Sequence, residues 1–485
     1  MSPAFRSVLF VLGIMMASLS TAMLIPALID LNAGEADSAS AFLWSAAAGI
    51  FIGTAVSLAV RGEDKTLTTR AAFLVTTGSW VVLVVIGALP LRFGGHELSW
   101  TDAIFETISG LTTTGATVVT GLDVRPPGFL MWRAILQWIG GIGIIVTAMA
   151  IWPLLGVGGM QLFRLESSDS SSEKVLPRAA QIATAISLIY LALTAACALG
   201  YAITGMSGFD AIAHAMTTIA TGGYSTRDAS MGAFTENGSD IVGIVFMLMA
   251  SLPFAAYLVA VRGRPGAIWR DPQVQGFFLL VVMAIAAMSA FVVLSDLYAP
   301  EAGIRAAAFN TVSVITGTGY ATTDFGIWGA PATAGFFVLM FAGGCAGSTT
   351  CSVKIFRYQI ALLAIRQHVI QLAHPRAITP LRYGGRPVPP ETVYSVLGFL
   401  FAFIAIFTLS AAWLGAIGLD TTTALSGAAA TLANVGPGLG EIIGPAGTFA
   451  PLPDAAKWIM SANMLIGRLE VLTVLILFTP RFWQS

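Results

Sequence analysis

Four short, uncharged runs rich in threonine, glycine and alanine interrupt this chain at intervals of roughly 100 residues, each set between long apolar segments. They are Leu111-Thr112-Thr113-Thr114-Gly115-Ala116-Thr117, Ile219-Ala220-Thr221-Gly222-Gly223-Tyr224-Ser225, Thr316-Gly317-Thr318-Gly319-Tyr320 and Leu432-Ala433-Asn434-Val435-Gly436-Pro437-Gly438. A recurrence at this length marks an internal repeat. The chain is therefore expected to fold as four related units, with Gly115, Gly222, Gly319 and Gly436 as counterparts. Glycine lacks a Cβ, so its backbone reaches positive φ and can aim carbonyls in unusual directions.

The apolar segments set the class. Of 485 residues, 56% are hydrophobic and 10% charged, and mean hydropathy is +0.82. A soluble domain carries about 25% charged residues, so this is a polytopic membrane protein. A net charge of −1, with no basic or acidic tail, gives no footing for nucleic acid. Cys197, Cys345 and Cys351 are odd in number and lack metal-ligand spacing, which argues against a disulfide framework or zinc site and for small apolar fillers. The first apolar run, residues 8–29, exceeds a signal peptide's apolar core and is read as a retained span.

About 20 apolar residues cross a bilayer. Two crossings, near 8–30 and 40–60, precede the first run. Then one plan recurs: a long apolar segment, a short amphipathic helix, a Thr/Gly run, a second long apolar segment. The long segments pair as 71–91 with 128–153, 180–204 with 239–261, 275–298 with a stretch from 333, and 391–416 with 455–479. The short helices are 102–113, 210–220, 304–315 and 420–434. The expected fold is all-α, with ten crossings and four re-entrant half-helices around a pseudo-fourfold pore. The units are 1–66 for the two extra helices, then pore repeats 67–165, 166–265, 266–385 and 386–485. Asp102-Ala103-Ile104-Phe105-Glu106 parallels Asp210-Ala211-Ile212-Ala213-His214, and Ala306 to Asn310 follows suit. Segments this short cannot span, and irregular backbone at membrane depth survives only inside protein or beside water.

Basic residues gather on one side. Arg6, then Arg61, Lys65 and Arg70, then Arg164, Lys174 and Arg178, then Arg262, Arg264 and Arg270 fall there, followed by Lys354, Arg357, Arg366, Arg376, Arg382, Arg386 and Arg481. The other side keeps Arg92, Arg125, Arg133, Arg227, Arg305 and Lys457. Cytoplasmic loops are the basic ones, so both termini are expected inside and the four runs toward the outside.

Each short helix would point its C-terminal end, with about half a negative charge, at a common centre. Carbonyls of Thr114-Gly115, Thr221-Gly222, Thr318-Gly319 and Val435-Gly436 could then replace the water shell of a cation. The runs hold no carboxylate, which favours a monovalent ion over a divalent one. Glu106, His214 and Asn310 hold equivalent places in three short helices and are read as polar anchors for the runs. His96, His368 and His374 are read as loop histidines.

Two further features stand apart. The third unit's second apolar stretch is broken by Ala342-Gly343-Gly344-Cys345-Ala346-Gly347-Ser348-Thr349-Thr350-Cys351-Ser352. Each glycine costs roughly 1 kcal/mol in a helix interior, so the stretch should unwind. It is either a loop across the conduction path or a close-packing seam between helices. Arg468 lies about 16 Å along a helix from Lys457, near midplane. A charge there marks function, and Glu470 faces another way, so the two should not pair within one helix.

These motifs resemble, over essentially the whole length, the TrkH subunits of bacterial Trk potassium uptake systems, in the superfamily with Ktr and HKT transporters. The two extra N-terminal spans also fit. The resemblance implies that Gly115, Gly222, Gly319 and Gly436 are the key filter glycines, with potassium as the ion bound. Some HKT members that prefer sodium carry serine at the first position, and Gly115 points to potassium. The fourth run departs from Thr-Gly in the way the family's own fourth repeat does, and suggests looser selectivity than four identical runs. The resemblance further implies that Gly343, Gly344, Gly347 and Ser348 belong to an intramembrane gate loop, with Arg468 beneath the filter. It implies homodimers in a bacterial inner membrane and a cytosolic TrkA-like nucleotide-binding ring, since no phosphate-binding motif occurs in this chain. Arg366, Arg376, Arg382 and Arg386 would suit docking of that ring as well as the positive-inside pattern. The competing readings are a sodium- or proton-coupled secondary transporter, which usually shows two related halves, and a membrane enzyme, for which clustered carboxylates or histidines are missing.

Overall fold

The computed structural model describes residues 3–61, 69–150, 175–376 and 380–484. The expected boundaries at 66/67 and 165/166, with Lys65, Arg164 and Lys174, lie outside them. Among the described residues, seven helices are long and apolar enough to cross a membrane, or nine if each of two bent helix pairs is taken as one crossing. Ala330–Leu339 and Ile355–Ala373, flanking the glycine-rich stretch, complete the ten expected. Large apolar side chains such as Trp44, Phe51 and Phe401 are exposed, as lipid-facing residues are. This is a multi-pass membrane protein.

The N-terminal helices Pro3–Ala22 and Leu24–Ala33 pack on Ala36–Ala59. Gly13 and Gly53 let the backbones meet: a Cβ at Gly13 would lie 2.7 Å from the Gly53 carbonyl. The four repeats follow. Their leading helices are Thr69–Phe93, Val175–Ile203, Pro272–Leu294 and Pro390–Ala416, and their short helices are Trp100–Leu111, Gly208–Ile219, Pro300–Ile315 and Thr421–Leu432. The short helices start where caps put them. Ser99 accepts from the Asp102 amide, Ser207 from Asp210 and Asp420 from Thr423. The Asp420 carboxyl is held below the usual carboxylate range by its bonds to Thr423. The third helix has Pro300 at its first turn instead, and starts four residues earlier than expected.

The closing helices differ from the expectation. Pro127–Ala150 is continuous, but the second repeat's closing helix bends by 89° between Ser239–Ala250 and Phe254–Val261, at Pro253. The fourth bends by 109° after Asp454–Arg468, where Glu470 takes φ +60°. The sequence suggested straight spans for both. The 385/386 boundary falls in the turn of a hairpin pairing Arg382–Tyr383 with Arg386–Pro387.

Candidate functional site

All four short helices end the same way. The residue after the cap adopts a left-handed conformation: Thr113 at φ +52°, Thr221 at +51°, Gly317 at +70° and Asn434 at +52°. The next amide reaches back five residues, as in a Schellman ending: Thr114 to Ser109, Gly222 to Thr217, Thr318 to Ser313 and Val435 to Ala430, at 2.8–2.9 Å. One residue later the backbone turns left-handed again, at Gly115, Gly223, Gly319 and Gly436. A β-branched residue at positive φ is a strained outlier, and such strain gathers at functional sites.

The register of the second run therefore differs from the expected one. Sequence similarity paired Thr221-Gly222 with Thr114-Gly115, but the counterpart of Gly115 is Gly223 and that of Thr114 is Gly222. The doubled glycine hid this, because only backbone dihedrals tell the two apart.

In this register the runs close into a ring. A Cβ added to Gly115 would sit 2.2 Å from the Gly222 carbonyl oxygen, and one on Gly223 would sit 1.9 Å from that of Thr318. At Gly319 the distance is 2.1 Å to the Val435 oxygen, and at Gly436 it is 2.7 Å to that of Thr114. Each glycine thus abuts a carbonyl of the next repeat, in cyclic order.

Side chains brace the ring from behind. Glu106 accepts from the Thr117 hydroxyl, the Val118 amide and Arg133 Nε, the last at 2.8 Å. Arg133 also donates to the Ser225 carbonyl and lies 4.0 Å over the Tyr224 ring, tying repeat one to repeat two. His214 pairs with Ser225 at 3.0 Å, and Asn310 binds Thr322. In repeat four, Ser426 bonds both polar groups of the Leu439 backbone. The Tyr224 hydroxyl donates to the Glu106 carbonyl, Tyr320 meets Thr217, and Asn434 donates to the Thr114 hydroxyl at 2.8 Å. The expected anchoring role of Glu106, His214 and Asn310 agrees with these bonds. Arg133 and Lys457, counted above as loop charges, are buried and paired with Glu106 and Asp102. An arginine inside an apolar run was the available signal for the first of these.

On one side of the ring lies a cavity of about 250 Å³, lined by Gly115, Gly223, Gly319, Pro437 and Phe449 among others. On the other side the stretch 342–353 crosses as a loop. The bend in the second repeat holds it: Cys345 and Thr349 amides donate to the freed Ser251 and Ala250 carbonyls, and the Phe254 amide donates to Gly347. Gly343 donates to the Val353 carbonyl and Ser348 to the Cys345 carbonyl, bonds that tie the loop to itself. The residue directly under the ring is Cys351, whose sulfur lies 3.7 Å from the Thr113 hydroxyl and whose Cβ would meet one on Gly317 at 3.8 Å. Reading Cys351 as an apolar filler missed this placement.

Arg468 reaches the loop from the end of Asp454–Arg468. It donates to the Thr349 carbonyl at 3.1 Å, to the Gly140 carbonyl at 3.3 Å, and to Cys351 Sγ. As expected, it does not pair with Glu470, which meets Arg357 of the loop's following helix instead. The space left beside Cys351, Lys354 and Arg468 is about 20 Å³. Among the described residues no cluster of three or more His, Cys, Asp or Glu side chains could hold a metal ion.

Comparison with known proteins agrees with this architecture. The family described as TrkH, cation transport protein, matches residues 38–485. The chain is 45% identical to the Trk system potassium uptake protein TrkI of Halomonas elongata, over 99% of this chain and 97% of that one. It is 38% identical to the Trk system potassium uptake protein TrkH of Escherichia coli K12, over 99% and 100%. The crystal structure of the potassium transporter TrkH from Vibrio parahaemolyticus superposes with a TM-score of 0.91 at 38% identity, covering 99% of both chains. With a family match across most of its length, a shared fold and four runs closed into one ring, the chain belongs to the TrkH family of cation transport proteins.

Proposed function

We propose that this chain is the potassium-translocating subunit of a Trk-type uptake system in a bacterial inner membrane, with both termini cytoplasmic. The observation that carries this is the cyclic contact of each filter glycine with a carbonyl of the next repeat. Four carbonyls held in one ring, at the C-terminal ends of four short helices, suit a partly dehydrated monovalent cation. The ion's ligands in this reading are the carbonyls of Thr114, Gly222, Thr318 and Val435, with Gly115, Gly223, Gly319 and Gly436 giving the close approach. Potassium would enter from the 250 Å³ vestibule and lose water at the ring.

Beneath it, the loop bearing Gly343, Gly344, Gly347, Ser348 and Cys351 serves as the gate. Arg468 pins it shut and adds a positive charge to the path. Opening requires these contacts to part. Exposed Arg366, Arg376, Arg382 and Arg386 lie in or after the helix that leaves the loop, and offer a surface to a TrkA-like cytosolic nucleotide-binding ring. Two such protomers would each keep their own pore. The test is potassium flux into liposomes holding the purified protein, with no other gradient imposed. Flux that discriminates against sodium, and loses that discrimination in Gly115→Ser, supports the reading. Flux that requires a coupled sodium or proton gradient overturns it.

A further inference from the structure

We propose that Gln137, on the closing helix of repeat one, completes the second filter run by standing in for the side chain that Gly222 lacks. This rests on the filter reading above. In the other three runs the residue before the key glycine carries a buried side chain: Thr114, Thr318 and Val435. In runs one and three that hydroxyl pairs with another two residues earlier, Thr112 with Thr114 at 2.7 Å and Thr316 with Thr318 at 2.8 Å. Run two has Ala220 and Gly222 at these places, so both hydroxyls are missing.

The gap is filled from the neighbouring repeat. Gln137 is fully buried. Its amide nitrogen donates to the Gly222 carbonyl at 2.6 Å, and its amide oxygen accepts from the Tyr224 amide at 3.0 Å. One side chain thus clamps the residues on both sides of Gly223. A Cβ added to Gly222 would lie 2.4 Å from Gln137 Cδ, so the two groups occupy one space. The Gly222 oxygen is also the one facing Gly115 in the ring.

Two consequences follow for selectivity. The clamp fixes the direction of a carbonyl in a run whose two adjacent glycines would otherwise leave it free. It also engages one lone pair of that oxygen, making the ring's four acceptors unequal. Gln137 is a positioning residue: it acts on the ion through Gly222.

The test uses purified full-length protein in liposomes, reading the potassium KM, the maximal rate and the potassium-to-sodium preference. Gln137→Met keeps length and volume but removes both hydrogen bonds. It is expected to raise KM and lower the preference about tenfold, with the maximal rate little changed. Gly222→Thr alone expels the buried amide from its partners and is expected to impair KM and preference. Gln137→Ala with Gly222→Thr restores a side chain from within the run, and is expected to recover preference relative to Gln137→Ala alone. Parental KM and preference in Gln137→Met would overturn the inference, as would a double variant no better than Gln137→Ala. Gly115→Ser is the control that separates the two claims. If it retains discrimination, the filter reading itself fails; if it loses discrimination while Gln137→Met does not, only the role of Gln137 fails.

Discussion

The register of the second run can be decided by comparing Gly223→Ala with Gly222→Ala. Gly223 sits at φ +78°, where an L-residue pays about 1–2 kcal/mol. Its new Cβ would stand 1.9 Å from the Thr318 oxygen and 2.9 Å from the Thr318 carbonyl carbon, both backbone atoms. Ordinary contact between such atoms begins near 3.4 Å, so one of the two peptides must retreat by about 1 Å or more, and both belong to the ring. Sites of this kind tolerate about 0.5 Å. A ring displaced this far no longer holds its carbonyls at the spacing that separates two monovalent ions, and a change of about 1.4 kcal/mol in that difference is tenfold in preference. Gly222 takes no positive φ, and the three atoms nearest its new Cβ belong to the Gln137 side-chain amide, not to a ring peptide. In a rubidium-uptake assay with sodium as competitor, Gly223→Ala is therefore expected to lose well over tenfold in discrimination. Gly222→Ala displaces the Gln137 amide and should lose about the tenfold expected of Gln137→Met, without the added backbone clash. Parental behaviour in Gly223→Ala beside collapse in Gly222→Ala would refute the ring as described.

Three other outcomes follow from the geometry. Arg468→Ala removes the donors to Thr349 and Gly140, and is expected to raise flux severalfold without any partner protein; unchanged basal flux would detach Arg468 from the gate. Arg133→Met leaves the Glu106 carboxylate buried without its counter-charge, a loss of about 3–5 kcal/mol, visible as a lower unfolding temperature in detergent and relieved in part by adding Glu106→Gln. His96, in the segment before the first short helix, has its pKa lowered from 6.5 to about 4 by burial and then by the charge of Arg125. Between these two values the unfolded chain binds the proton and the folded one resists it, so stability should fall as pH drops from 6.5 toward 4. His96→Gln should flatten that part of the thermal-stability profile.

Much of the molecule was legible in the residues. The fourfold plan came from runs of one composition at one interval, and the crossings from apolar length. Ser99, Ser207 and Asp420 cap three short helices within two residues of their expected starts. The break in the third repeat's closing helix was visible because glycines cluster where a helix should continue. Less was readable where two neighbours share a composition. Gly222 and Gly223 look alike in a string, and only their dihedrals show which of them takes the left-handed place in the ring. The bends at Pro253 and Glu470 also escaped, since a single proline is tolerated in membrane helices and the glutamate gave no sign of its left-handed backbone.

What the sequence determined by itself was therefore local and periodic: which segments are apolar enough to enter a membrane, where short helices begin, and that the unit occurs four times. Tertiary structure alone decided the partnerships between repeats. Gln137 reaching Gly222, Arg133 bridging to Ser225, Arg468 meeting Thr349 and Cys351 lying beside Thr113 join residues from 85 to 238 positions apart. No propensity or spacing encodes such pairs, because each exists only once four separate helix ends converge on one axis and leave their polar groups to be satisfied by whatever the next repeat presents.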